Sequence, residues 1–178
     1  MEGRDPYEDL PQVPAFTVES DEFTNGCTFA PAQYSARMGV SDGRDASPQL
    51  SWSGFPEQTR SFAVTMYDPD APTASGYWHW AAFNIPASVT GLAADAANTG
   101  QMPAGTVQLA NDAGFAGFVG AAPPAGHGRH RYFVVVHAVD TEELDVPADA
   151  SPAALGFALF THTLARAVIV GTAEIPGD

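Results

Sequence analysis

Residues 62–73 read FAVTMYDPDAPT, from Phe62 to Thr73. The first six are apolar, β-branched or aromatic, which is the composition of a strand; the next six hold two prolines and two carboxylates. Proline fixes φ, so Pro69 and Pro72 hold Asp68 and Asp70 in defined directions where the chain leaves the sheet. An ordinary turn does not need that rigidity, and the two aspartates are therefore a candidate binding element. A solvated Pro-Asp turn is the plainer reading of the same residues.

Working outward, short apolar runs recur between clusters of Gly, Pro, Asp and Ser: residues 15–18, 78–85, 132–139 and 168–173. Their spacing and β-branched content predict strands. The run Phe133, Val134, Val135, Val136 is continuous rather than alternating, so its strand should be covered on both faces. One helix is expected, at about residues 152–167. Ser151 is its N-cap and Pro152 its first position, and Leu155, Leu159, His162 and Arg166 follow at steps of three and four. Residues 1–13 (MEGRDPYEDLPQV) read as an extended arm with a minor role, because Pro6 and Pro11 oppose helix and the charges oppose burial. Residues 14–178 read as a single domain.

The chain has 178 residues, one domain's length, and enough apolar sequence for a core of its own. Its 21 acidic residues against 7 basic ones give a formal charge of −14, which argues against nucleic acid or an anionic membrane as partner. Any anion must therefore be captured locally. The single cysteine, Cys27, excludes an intramolecular disulfide. No export signal opens the sequence and no apolar stretch is long enough to span a bilayer, so the expected location is the cytoplasm, without stable membrane insertion.

Two further clusters carry polar chemistry. In Trp78-His79-Trp80, strand alternation puts both indoles on one face and the imidazole on the other. Residues 120–132 (GAAPPAGHGRHRY) run from Gly120 into the apolar strand. Gly-rich backbone there lets amide N–H groups turn toward an anion, with His130 adding a donor and Tyr132 a hydroxyl. Arg131 suits a structural ion pair with one of the aspartates better than a ligand role.

Taken together, these segments resemble the phosphatidylethanolamine-binding protein family, in particular its bacterial and archaeal Raf-kinase-inhibitor-like branch. The resemblance rests on SPQLSW (47–52), FAVTMYDPDAPT (62–73), the Trp-His strand followed by Asn84-Ile85-Pro86, the loop from Gly120 to Tyr132, and the ending at residues 151–171. It implies a mainly β fold, an antiparallel β-sandwich with a few peripheral helices, one of them at the C-terminus. It also implies a small anion pocket built from Asp68, Asp70, Pro72, His79, Gly120, Pro123, His130 and Tyr132. Animal members carry an acidic residue before Trp-His and a second His after it, where this chain has Tyr77 and Trp80.

The expected function is binding of a small phosphate-bearing ligand, such as a phospholipid headgroup, by a regulatory or binding module. A hydrolase using Asp70 and His130 as acid and base, and a kinase or protease inhibitor acting through surface loops, are the alternatives. No catalytic nucleophile stands out and no cofactor is expected. A metal site from His79, His127, His130 and the two aspartates Asp68 and Asp70 is disfavoured, because His127 and His130 span a glycine loop rather than sharing a helix face. The helix face of Leu155, Leu159 and His162, with the flat apolar strands, is a candidate homodimer contact, and an unidentified protein is a further candidate partner.

Overall fold

The computed structural model describes residues 3–177. Eight strands are found among them: β1 (Thr17–Glu19), β2 (Leu50–Ser53), β3 (Ser61–Asp68), β4 (Tyr77–Pro86), β5 (Gly91–Leu92), β6 (Val107–Gln108), β7 (His130–Val139) and β8 (Thr163–Ala173). The helix α1 spans Pro152–His162. Strands β6-β4-β3-β7-β8 form a five-stranded antiparallel sheet, and β1-β2-β5 form a smaller one.

The large sheet is apolar on both faces. Its inner face presents Val64, Met66, Trp80, Tyr132, Val134 and Val136 to Leu50 and Trp52 of the small sheet, which makes the main core. Its outer face presents Ala63, Phe83 and Val139 to Leu155 and Leu159 of α1. Burial on both sides explains the unbroken run Phe133–Val136, which lies on β7 between β3 and β8 as its composition requires.

The helix begins where expected, with Ser151 Oγ accepting from the Ala154 amide at 3.2 Å and Pro152 in its first turn. It ends at His162, short of the predicted 167. From Thr163 onward the burial period changes to two, with Ala165, Ala167 and Ile169 buried. This segment pairs with β7 from Val139↔Thr163 to His130↔Ala173. The helical spacing of Arg166 is outweighed by that ladder. Leu155 and Leu159, expected to offer a dimer contact, are buried within the chain itself.

The arm differs from an extended segment. Residues 6–9 form turns, Arg4 pairs with Glu8 and Asp9, and the Tyr7 ring lies 6.2 Å from Phe133 and 6.3 Å from His137. Through Tyr7 the arm covers apolar outer-face surface on β7. No helix among the described residues is long and apolar enough to cross a membrane.

Candidate functional site

The end of β3 meets the start of β7, because Tyr67 pairs with Phe133 in the ladder. That register places Asp68 beside His130 across 62 residues of sequence, with Asp68 Oδ2 2.8 Å from His130 Nδ1. Both side chains are almost fully buried. A carboxylate accepts, so His130 Nδ1 carries the hydrogen, and Asp68 fixes the tautomer and plane of the ring. Asp68 Oδ1 accepts the Asp70 amide at 2.8 Å, the turn that the Pro-Asp sequence predicts. The buried Tyr132 phenol lies near Asp68; burial first, and the nearby carboxylate second, push it far above its ordinary range. His130 Nε2 lies 2.7 Å from Nδ1 of His127, so one of these two nitrogens donates to the other. No group of three His, Cys, Asp or Glu side chains among the described residues is arranged to hold a metal ion.

His79 arrives at the site through an irregularity. Between Met66↔Trp80 and Tyr67↔Trp78 the ladder advances one residue on β3 and two on β4, a β-bulge at His79. Simple alternation therefore fails here. Trp80 packs into the inner core against Phe118, whereas Trp78 lies on Tyr67, with ring centroids 4.4 Å apart. The bulge turns the His79 ring toward the end of the sheet, where its Nδ1 donates to the Val119 carbonyl at 2.9 Å. Burial pushes its pKa down, against the opposing pull of the Val119 hydrogen bond and the Asp68 charge, so the ring is neutral near pH 7.

These groups surround a cavity of about 220 Å³. Of the residues named from the sequence, Asp68, Pro72, His79, Pro123, His130 and Tyr132 line it. Asp70 and Gly120 do not. Both Asp70 oxygens face Arg131, whose Nε and Nη2 donate at 2.8 Å each and whose amide donates at 2.9 Å. Burial raises the Asp70 pKa, but these bonds outweigh it and hold the carboxyl below its ordinary value. Asp70 is thus an anchor for the strand behind the cavity, and the acid–base pair of Asp70 with His130 is not formed.

Gly120 is a packing glycine. Its amide donates to Asp45 Oδ1 at 2.8 Å, and a Cβ there would overlap the backbone of Gln33 and Tyr34. The neighbouring amides of Val119 and Ala121 donate to His79 and Gln33 carbonyls, so this stretch forms no amide cradle for an anion. Met38, Tyr77, Ala122 and Pro124 complete the wall, although the sequence had not marked them as site residues. Tyr77 was legible in principle: it opens β4 two positions before His79, where animal members of the family carry an acidic group.

Chemically, the cavity offers imidazoles held by a carboxylate and a carbonyl, two phenols, and proline walls. With Nδ1 of His79 donating to Val119 and Nδ1 of His130 to Asp68, His130 Nε2 is engaged by His127, while Nε2 of the neutral His79 ring is an acceptor that becomes a donor on protonation.

The comparisons with known proteins agree with this fold. The family model for phosphatidylethanolamine-binding protein matches residues 19–174. The UPF0098 protein YbcL of Escherichia coli (strain K12) is 45% identical over 166 residues, covering 92% of this chain and 90% of that protein. The UPF0098 protein YbhB of the same organism is 48% identical over 136 residues, covering 72% and 81%. The crystal structure of E. coli YbcL superposes with a TM-score of 0.86 at 45% identity, covering 90% of this chain and 98% of that one. A phosphatidylethanolamine-binding protein homologue from Chlamydia trachomatis gives a TM-score of 0.74 at 27% identity, over 90% and 97%. With the family model spanning most of its length, the chain belongs to the phosphatidylethanolamine-binding protein family.

Proposed function

We propose that the cavity between Pro72 and Pro123 binds a small phosphate-bearing ligand of headgroup size, and that the protein acts as a ligand-binding module. The observation that carries this reading is the meeting of His79 and His130, from strands far apart in sequence, around one small cavity with Asp68 behind them. At roughly 30 Å³ per water-sized atom, about 220 Å³ holds about seven non-hydrogen atoms, enough for a phosphate ester and too few for a lipid tail.

The carboxylate beside the anion is not a contradiction. Asp68 accepts from His130, and its charge favours the protonated form of His79, which then donates Nε2–H to the ligand. Because the empty His79 ring is neutral near pH 7, capture of a phosphate dianion takes up a proton, or the phosphate brings its own.

The test is calorimetry of the full chain with phosphoethanolamine and with inorganic phosphate. Affinity should fall as pH rises from about 6 to 8, with an enthalpy that depends on the buffer's ionisation heat. His79→Gln removes a hydrogen bond to a charged group, typically about 1.5–3 kcal/mol, so binding should weaken about ten- to a hundredfold. Absence of binding by both ligands, or binding indifferent to pH and to His79→Gln, overturns the reading.

A further inference from the structure

A second cavity, of about 290 Å³, lies on the outer face of the large sheet and shares no lining residue with the one at His79. The arm supplies Leu10 and Tyr7, the helix supplies Gly156 and Phe160, and the floor carries Thr65 and Arg166. Apolar groups dominate the walls, which makes the polar atoms on the floor informative.

Arg166 Nε is buried and has no hydrogen-bond partner, and no carboxylate lies within ion-pair distance of its guanidinium among the described residues. Its one ring contact is with Tyr7, whose centroid lies 5.3 Å away. Beside it, Thr65 is only 3% exposed, and its hydroxyl closes no hydrogen bond although the Tyr7 hydroxyl faces it. His137, also on the floor, is neutral and offers no countercharge. Arg166 is half-buried and feels the charge of Asp5 from beyond ion-pair distance, but its buried Nε has no acceptor, which is unfavourable in a chain of formal charge −14 where carboxylates are plentiful. Guanidinium binds carboxylate in a fork, and the apolar walls around it accept a hydrocarbon tail.

We infer that this cavity is a second ligand site, for a short amphiphilic carboxylate whose head pairs with Arg166 and whose tail lies against Leu10, Phe160 and Leu159. At roughly 30 Å³ per atom the space holds about ten non-hydrogen atoms, the size of octanoate. Acetate has the head without the tail, and 1-octanol the tail without the charge.

The experiment is a titration of the full chain with octanoate, followed by calorimetry and by amide chemical shifts. Saturable one-to-one binding is expected, with a Kd on the order of 0.1 mM. Acetate and 1-octanol should each bind at least about tenfold more weakly, and Arg166→Gln should cost octanoate a similar factor. Gly156→Leu guards against a simple folding defect: a Cβ at this helical position meets nothing within 4 Å, leucine is the better helix former, and its side chain fills the cavity. That variant should stay folded and exclude octanoate, while still binding phosphate as the wild type does. No saturable binding, 1-octanol binding as well as octanoate, unchanged affinity in Gly156→Leu, or loss of octanoate binding in His79→Gln would each overturn the inference.

Discussion

His130 and His137 stand seven positions apart on one strand and so face opposite sides of the sheet, and their partners give them different physics. His130 has Asp68 at 2.8 Å and His127 at 2.7 Å. His137 has only the Thr163 hydroxyl at 3.4 Å, and burial, reinforced by the positive charge of Arg166, pushes its pKa down to about 3. The sign of the consequence follows directly. Unfolding returns the ring to an ordinary pKa near 6.5, so the unfolded chain binds the proton first. The stability that His137 contributes is complete above about pH 6.5 and is lost as pH falls toward 3, at about 1.4 kcal/mol per pH unit. His137→Gln has no such titration. Urea unfolding at pH 7 and at pH 4.5 should therefore show the wild type losing about 2–3 kcal/mol more than the variant. Parallel losses would mean that the buried ring titrates normally.

At the scale of elements, the sequence was readable where period and packing agree. The run Phe133–Val136 announced a strand covered on both faces, and Ser151-Pro152 announced a helix start. Local spacing misleads where tertiary pairing overrides it. Arg166 continues a helical period, yet the buried alternation Ala165, Ala167, Ile169 belongs to β8. Strand alternation puts the indoles of Trp78 and Trp80 on one face, but a bulge leaves no mark in a short apolar run, and that bulge is what aims His79. Gly120 looked like a cradle and is instead a close approach to the backbone of Gln33 and Tyr34, a contact 86 or more residues away in sequence that no local pattern reveals.

Gly171 shows the same kind of constraint within β8. A Cβ there would overlap the Phe29 ring, which is buried and packs 5.4 Å from the ring of Tyr132. Gly171→Ala must push Phe29 onto Tyr132, which lines the cavity with Asp68. Overpacking of this kind costs about 1–3 kcal/mol. Urea unfolding should show that loss together with weaker phosphate binding, whereas a destabilised variant with unaltered affinity would separate the Phe29 contact from the cavity.

For the whole molecule, the two faces of one sheet carry separate environments; the arm covers the outer face and its first residues, Gly3 and Asp5, reach the edge at His127 and His130. Gly3 and Arg4 accept from Arg131, Tyr7 covers Phe133 and His137, and the Pro14 carbonyl accepts the Arg166 amide at 3.0 Å. Removing residues 1–13 uncovers aromatic surface worth about 2 kcal/mol and admits water to His137. Its pKa then rises toward 6.5, so the truncated chain should be less stable at pH 7 but lose less on acidification than the intact protein does. The cavity at His79 takes no residue from the arm, so phosphate affinity should change by less than about twofold, a shift of under about 0.4 kcal/mol. Urea unfolding across pH and calorimetry on the same truncated protein read both quantities. An unchanged pH slope would show that β7 and α1 shield His137 without the arm, and a large loss of phosphate binding would show that the two faces are coupled through Asp70 and Arg131, which join the arm to the strand beneath the cavity.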